Sequence, residues 1–111
     1  MYPKLSVIVP IYHPESFFDA TIQSILTQDF DNFEVIISDD SVNKHTFTAD
    51  YFREFENVIW VRNNNKRGIF SNLNNALNFA SGEFIQIFCQ DDIMHNHFLS
   101  NQFGLIANTE K

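Results

Sequence analysis

Two pairs of adjacent aspartates each follow a short hydrophobic run whose composition is typical of a β-strand. Asp91 and Asp92 follow residues 84–90, and Asp39 and Asp40 follow residues 33–38. In an open α/β sheet, ligands bind in the crevice outside the carboxyl ends of the strands, so both pairs are expected at one sheet edge. Carboxylate oxygens are the ligands that hard divalent cations prefer. A cation at that edge implies a substrate that carries phosphate.

The remaining pattern predicts strands and helices in strict alternation. Strands are predicted at residues 5–9, 33–38, 57–62 and 83–88. Helices are predicted at residues 15–27, 47–55 and 69–80, and from residue 98 to the chain end. This order predicts an α/β fold: a mostly parallel open sheet with helices on both faces and right-handed crossovers.

Three local expectations accompany these elements. Pro10 is expected to close the first strand, which reads as a central strand buried on both faces. In the third helix, the apolar stripe is expected to consist of Ile69, Leu73, Ala76, Leu77 and Ala80. Gly82 is expected as the C′ residue that ends this helix.

Composition limits the classes of function. The chain has 111 residues, 44% of them hydrophobic and 13 of them phenylalanine, which suits one domain with a substantial core. The net charge of -7 opposes binding to nucleic acid. A single cysteine, Cys89, fits a reducing compartment, and no stretch approaches the length of a membrane span. Neither G-x-G-x-x-G nor a Walker A sequence is present, so metal and side chains would have to hold any phosphate.

Five segments, in order and correctly spaced, resemble family 2 glycosyltransferases. They are residues 6–12, 24–28 and 34–41, the pair Arg67-Gly68 with Asn74, and residues 82–85 followed by Asp91-Asp92. The resemblance implies the nucleotide-binding half of a GT-A fold, which is Rossmann-like and uses a nucleotide-diphosphate sugar with Mn²⁺ or Mg²⁺.

The resemblance also implies roles for residues near the nucleotide base. Pro10, Ile11 and Tyr12 would border the base and ribose, with the Tyr12 ring available for stacking. Asp40 would accept a hydrogen bond from the base, and Asp39 would be its structural partner. This role favours a pyrimidine, and hence a UDP- or dTDP-sugar.

Further roles concern the diphosphate. By resemblance, Arg67 would approach the base or diphosphate, and Asn74 would line the same cleft. Asp91 would touch ribose and metal, while Asp92 would coordinate the metal. Two departures stand out: Cys89 occupies a position where many relatives have aspartate, and Leu73 one where arginine is frequent.

The resemblance implies a domain over residues 1–111 that stops before the acceptor-binding half. Transfer would proceed with inversion to a glycan or lipid-linked hydroxyl acceptor, with the catalytic base beyond Lys111. The isolated chain is therefore expected to be inactive, and exposed core surface would favour self-association. The implied location is the cytoplasm, at the inner face of the membrane, in polysaccharide or cell-surface glycan assembly.

Simpler interpretations stay open for most of these residues. Asp39 and Asp40 could belong to an ordinary turn, and Asp91 and Asp92 could cap the last helix. Arg67 could be a surface charge and Tyr12 a packed aromatic. Cys89 is expected as a buried small side chain, and the histidines as solvent-exposed groups: His13, His45, His95 and His97. The last two could also join a metal site.

Other classes of function are also open. A receiver-type signalling domain would need acids after its first strand and a late lysine, and the chain has neither. A non-catalytic nucleotide or nucleotide-sugar binding module would keep the base pocket without turnover. A purely structural interaction domain would leave the paired acids unexplained.

Overall fold

The computed structural model describes the backbone of residues 5–109 and the side chains of residues 5–104. Strands and helices alternate as the sequence predicts. The elements are β1 (Leu5–Ile11), α1 (Phe18–Leu26), β2 (Phe33–Asp39), α2 (Ala49–Phe52), β3 (Val58–Arg62), α3 (Ile69–Leu77), β4 (Phe84–Ile87) and α4 (Phe98–Thr109). Within these ranges, no helix combines the length and apolar character that a bilayer span requires.

The strands form one parallel sheet in the order β3-β2-β1-β4. β1 pairs with β2 along its whole length, from Leu5 opposite Phe33 to Ile11 opposite Asp39. All carboxyl ends therefore meet at one edge, and the predicted α/β fold with a parallel sheet is confirmed. β2 brings Asp39 and Asp40 to this edge, and β4 leads to Asp91 and Asp92.

Side chains that alternate along the strands build a core on each face of the sheet. The larger core packs α1, α2 and α4 against one face, through buried residues such as Phe18, Phe52 and Leu99. The smaller core lies under α3 and joins Ile8, Ile36 and Ala76. Helices on both faces explain why the central strands β1 and β2 are buried almost throughout.

The inner side of α3 is polar where it crosses the strand ends. Asn72 donates through Nδ2 to the carbonyls of Ile11 (3.2 Å) and Ser38 (2.9 Å), and its Oδ1 accepts from the Ser38 hydroxyl (2.7 Å). Asn75 donates to Ser38 Oγ (2.8 Å) and to the Arg62 carbonyl (3.2 Å). Two asparagines thus tie α3 to the carboxyl ends of β1, β2 and β3.

The predicted apolar stripe of α3 is therefore partly wrong. Ile69 is 81% exposed and Leu77 38% exposed, whereas Asn72 and Asn75 are buried beside Ala76. Hydrogen bonds to the strand ends, and not hydrophobic spacing, select the face that the first turns of this helix bury.

Several predicted boundaries also need correction. β1 continues through Pro10 to Ile11, because Pro10 carries no N–H yet still fits extended backbone. α1 begins at Phe18 and not at residue 15, and α2 is a single turn that ends at Phe52. α4 extends to Thr109, so the predicted end of the last helix lies outside the described residues.

Gly82 is not the C′ residue of α3, which ends at Leu77 with Asn78 as its C-cap. A β-carbon at position 82 would lie 2.6 Å from the backbone nitrogen of Ser6 and 2.7 Å from the carbonyl carbon of Leu5. The Gly82 N–H also donates to Ser6 Oγ (2.8 Å). This glycine lets the turn before β4 lie directly against β1.

We predict that Gly82→Ala destabilises the protein by about 1–3 kcal/mol, because the methyl group would push β4 away from β1. Gly104→Ala, on α4, is the matched control. Apart from its chain neighbours and the backbone of its own helix, no atom of the described residues lies within 4 Å of the place its methyl group would take, so this change should stabilise by about 0.5–1 kcal/mol. Urea unfolding monitored by circular dichroism measures both. Equal effects of the two substitutions would contradict the close approach at Gly82.

We predict that Asn72→Ala lowers the free energy of unfolding by roughly 2–4 kcal/mol, because it leaves buried groups of Ile11 and Ser38 without partners. Asn74→Ala, at an exposed position on the same helix, should change it by less than about 0.5 kcal/mol. Urea titration distinguishes the two. Similar changes from both variants would contradict the anchoring of α3 through Asn72.

Candidate functional site

A cavity of about 670 Å³ opens at the carboxyl edge of the sheet, between the ends of β1, β2 and β4 and the start of α3. Its size is ordinary for a small-molecule site. Most of the residues predicted from the sequence to bind a nucleotide line it. The lining residues are Pro10, Ile11, Tyr12, Asp40, Arg67, Gly68, Ile69, Asn72, Ile87, Phe88, Cys89, Gln90 and Asp91.

Tyr12 stands at the mouth of the cavity, just after β1 ends. Its side chain is 51% exposed, which excludes the alternative of an ordinary packed aromatic. The ring lies against that of His13, with 4.2 Å between centroids and 36° between planes. An exposed, supported aromatic face beside Pro10 and Ile11 is suited to stacking with a planar ligand.

Asp40 is 5% exposed and faces the loop before α3. Its Oδ1 accepts from Asn63 Nδ2 (3.0 Å), and its Oδ2 accepts from the Gly68 N–H (3.0 Å). Each carboxylate oxygen keeps a second lone pair that a ligand donor could use. These contacts account for the burial of the Asp40 carboxylate.

Asp39 lies behind the cavity and does not line it. Its carboxylate accepts from the Ser41 N–H (2.9 Å) and from His45 Nε2 (2.7 Å), with Arg62 3.9 Å away. Because His45 Nδ1 accepts from the Phe47 N–H (3.0 Å), the neutral ring carries its proton on Nε2 and donates it to Asp39. Asp39 thus holds the loop that follows Asp40 from behind.

His13 is partly buried and bonded, contrary to the expectation of a solvent-exposed ring. Its Nε2 accepts from the N–H groups of Val42 (2.8 Å) and Asn43 (3.1 Å). The main-chain N–H of His13 donates to Ser41 Oγ (2.7 Å), and the His13 backbone has the left-handed φ of 43°. His13 therefore joins the loop after β1 to the loop after β2. Histidine is enriched among non-glycine residues with positive φ, but the sequence pattern carried no signal of this role.

The loop before α3 brings a cation to the cavity. Arg67 is exposed and lines the cavity, so its guanidinium is available to an anionic ligand. Gly68 adopts φ 145°, a region that side chains disfavour, and this conformation aims its N–H at Asp40. Arg67 is therefore a surface charge and at the same time part of the cavity lining.

The second acidic pair lies across the cavity from Asp40. Asp91 lines the cavity, whereas Asp92 is exposed just beyond the lining residues. Both belong to a turn in which the Asp92 N–H donates to the Cys89 carbonyl (3.3 Å). α4 begins only at Phe98, so neither acid caps it.

Cys89 is exposed and lines the cavity, so the expectation of a buried cysteine is wrong. The neighbouring Phe88 takes the inward position of the alternating strand and packs on the larger core. Position 89 therefore faces the cavity and not the core.

The two carboxylates match one mode of metal binding. Among the residues whose side chains are described, no group of three or more acids, histidines or cysteines is arranged to hold an ion. Mg²⁺ and similar ions commonly use one or two carboxylates and take their other ligands from substrate phosphates and water. Asp91 and Asp92 suit that mode and do not suit a cage built wholly of protein.

α1 and the turn after it anchor the segment that follows the acids. The buried Gln28 donates to the His95 carbonyl (2.6 Å) and accepts from the Leu99 N–H (3.0 Å). Ser24 Oγ accepts from the Met94 N–H (2.8 Å). The segment from Ser24 to Gln28, to which the sequence assigned no role, thus holds the chain that follows the acid pair in place.

Besides Asp39 and Asp92, three residues considered for the site do not line the cavity. Asn74 lies on the exposed side of α3, because Asn72 and Asn75 occupy its inner side; Asn72 lines the cavity instead.

His97 pairs with Asp29. A hydrogen bond from Ser100 and this contact with His97 lower the pKa of Asp29. The ring of His95 lies 5.8 Å from that of His97 by centroids, so both histidines stand apart from the acid pair.

Comparison with solved structures agrees with this arrangement. The chain is similar to S. aureus TarS residues 1–349 in complex with UDP-GlcNAc, with a TM-score of 0.82, 30% identity, and coverage of 95% of this chain and 31% of that one. It is also similar to the mannosyltransferase PcManGT of Pyrobaculum calidifontis in complex with GDP-Man and Mn²⁺, with a TM-score of 0.72 and 27% identity over 84% of this chain and 29% of that one.

Sequence comparison gives the same relationship. The GalNAc(5)-diNAcBac-PP-undecaprenol beta-1,3-glucosyltransferase of Campylobacter jejuni is 37% identical over 101 residues, which are 88% of this chain and 33% of that protein. The chain thus spans about a third of the length of these relatives. The model of the family described as Glycosyl transferase family 2 matches residues 6–111. With its parallel sheet and the cavity at the strand ends, the chain belongs to glycosyl transferase family 2.

Proposed function

We propose that this chain binds the nucleotide-diphosphate sugar donor of a glycosyltransferase that transfers the sugar to a hydroxyl acceptor. The observation that carries the proposal is one cavity with a buried carboxylate, Asp40, on one wall and the exposed Asp91 on the other, with the exposed Asp92 next to it just beyond the lining. An aromatic ring and an arginine lie at the same cavity. This set of groups suits the separate parts of a nucleoside diphosphate.

The base would lie between Tyr12 and the loop before α3. There Asp40 would accept the N3–H of uracil or thymine through a lone pair not used by Asn63 or Gly68. A protein acceptor held by two donors is preorganised, so it loses little freedom when the base binds. We therefore propose a UDP- or dTDP-sugar as donor. TarS, with UDP-GlcNAc bound, supports this choice.

The diphosphate would lie between Arg67 and the acid pair. Asp91 and Asp92 would hold Mn²⁺ or Mg²⁺, which when bound supplies Lewis-acid stabilisation of the departing diphosphate. Arg67 would add a permanent positive charge at the leaving group without any proton transfer. The Mn²⁺ in the PcManGT complex supports metal dependence.

We propose that acceptor binding and the carboxylate base of an inverting reaction belong to a separate acceptor-binding half, and not to these 111 residues. The relatives, about three times as long, support this division into a donor-binding domain and an acceptor-binding half. The undecaprenol in the name of the Campylobacter relative supports a lipid-linked acceptor, and thus work at the inner face of the membrane. The 111 residues alone would bind the donor without turnover.

One observation favours a second candidate, a nucleotide-binding module without catalysis. Cys89 lines the cavity, and by the resemblance it stands where many family 2 members carry aspartate, so one carboxylate that could support the metal is missing. Such a module would bind the nucleotide with little dependence on metal. Metal dependence of binding therefore separates the two candidates.

We predict that Mn²⁺ tightens UDP binding and that Asp92→Asn removes roughly tenfold or more of the affinity measured with Mn²⁺. Without metal, the variant and the native chain should bind UDP about equally, because the exposed Asp92 makes no direct contact with the base. Asp31→Asn is the matched control, since this exposed acid precedes β2 at the opposite edge. Titration calorimetry with UDP, dTDP and GDP measures these affinities.

Tighter binding of GDP than of UDP and dTDP would contradict the role given to Asp40. UDP binding that ignores both Mn²⁺ and Asp92 would favour the module without catalysis. Absence of binding to all three nucleotides would overturn the proposed donor site itself.

A further inference from the structure

The seam between β1 and β4 opens at the cavity. The two strands pair from Leu5 opposite Phe84 to Ile8 opposite Ile87, and the Phe88 N–H still donates to the Ile8 carbonyl (2.8 Å). Beyond that point β1 continues to Ile11 with β2 as its partner. The cavity therefore lies over a stretch where the main chains of β1 and β4 have separated.

The side chain of Gln90 closes the seam again at the cavity mouth. Gln90 Oε1 accepts from the Tyr12 N–H (2.8 Å), and Gln90 Nε2 donates to the Tyr12 carbonyl (3.1 Å). A primary amide that donates and accepts in this way replaces the main-chain partner that a strand residue would provide. Serine, alanine or aspartate at this position could not make both bonds.

Gln90 is itself held in place by α1. The hydroxyl of Thr21, which is fully buried, donates to the Gln90 carbonyl (3.0 Å). The clamp between Gln90 and Tyr12 thus connects three elements: the end of β1, the turn after β4, and α1. The main chain of Gln90 is held by Thr21 on the core side, while the side chain of Gln90 crosses the cavity mouth.

The clamp joins the two walls that the proposed donor would touch. Tyr12 belongs to the wall assigned to the base, and Asp91, the next residue after Gln90, belongs to the wall assigned to the diphosphate. We propose that Gln90 is a positioning residue that sets the spacing between these walls, so that a ligand spanning both is bound in register. This inference rests on the proposed function.

Loss of the clamp should affect some ligands and spare others. Without it, the turn containing Asp91 and the segment containing Tyr12 would move independently, and ligand binding would have to order them. A ligand that touches both walls bears this cost. Uridine has no diphosphate and binds no metal, so it reaches the second wall only through its ribose and bears much less of this cost.

The test compares UDP with Mn²⁺ and uridine, titrated into the native chain and into Gln90→Ala. We expect Gln90→Ala to weaken UDP binding with Mn²⁺ by roughly tenfold, as the loss of two hydrogen bonds implies, and to change uridine binding by less than about twofold. Gln86→Ala is the matched control, because the side chain of this glutamine on β4 bonds the neighbouring Ile87 carbonyl, and its loss should change neither affinity.

A second variant guards against misfolding. Gln90→Met keeps the length of the side chain and removes both hydrogen bonds, so the same selective loss is expected, with folding checked by circular dichroism. Amide hydrogen exchange of Tyr12 should become about tenfold faster in either variant.

Equal losses for UDP and uridine, or no loss for UDP, would overturn the role of Gln90 while leaving the donor site standing. Absence of UDP binding to the native chain would instead overturn the proposed function and the coupling with it. Unchanged exchange at Tyr12 would overturn the clamp itself.

Discussion

The structure depends on how the carboxyl ends of three parallel strands are satisfied. A strand that ends beside a ligand cavity leaves main-chain carbonyls that still need donors. Asn72 and Asn75 provide those donors to Ile11, Ser38 and Arg62 from the inner side of α3. The helix is thereby fixed over the sheet edge by polar contacts, and its N-terminal loop is held where Arg67 and Gly68 reach the cavity.

The same principle organises the loops. His13 and His45 act as acceptors for main-chain N–H groups and hold the segment that follows Asp40. Asp40 in turn orders the loop before α3 through Asn63 and Gly68. The site is therefore a network in which each wall is bonded to its neighbour, and this rigidity is what a site needs to bind a charged, flexible ligand with little ordering cost.

The sequence predicted the features that follow from periodicity and topology. Parallel strands place both aspartate pairs at one edge, and this is what the sheet shows. The sequence did not predict that Asn72 lines the cavity and Asn74 does not, because polar contacts with the strand ends decide which face of α3 is buried. The role of His13 and the exposure of Cys89 were also missed. Tertiary contacts set both the left-handed turn at His13 and the path of the chain beyond the end of β4.

The most direct test of the donor site is a map of UDP binding by ¹⁵N–¹H NMR in the presence of Mg²⁺. We expect shifts concentrated at the carboxyl edge, in the amides of Tyr12, Ser41, Gly68 and Asp91. Amides at the opposite edge, such as those of Asn32 and Phe33, should not move. Shifts confined to that opposite edge, or absent at saturating UDP, would contradict the placement of the donor site.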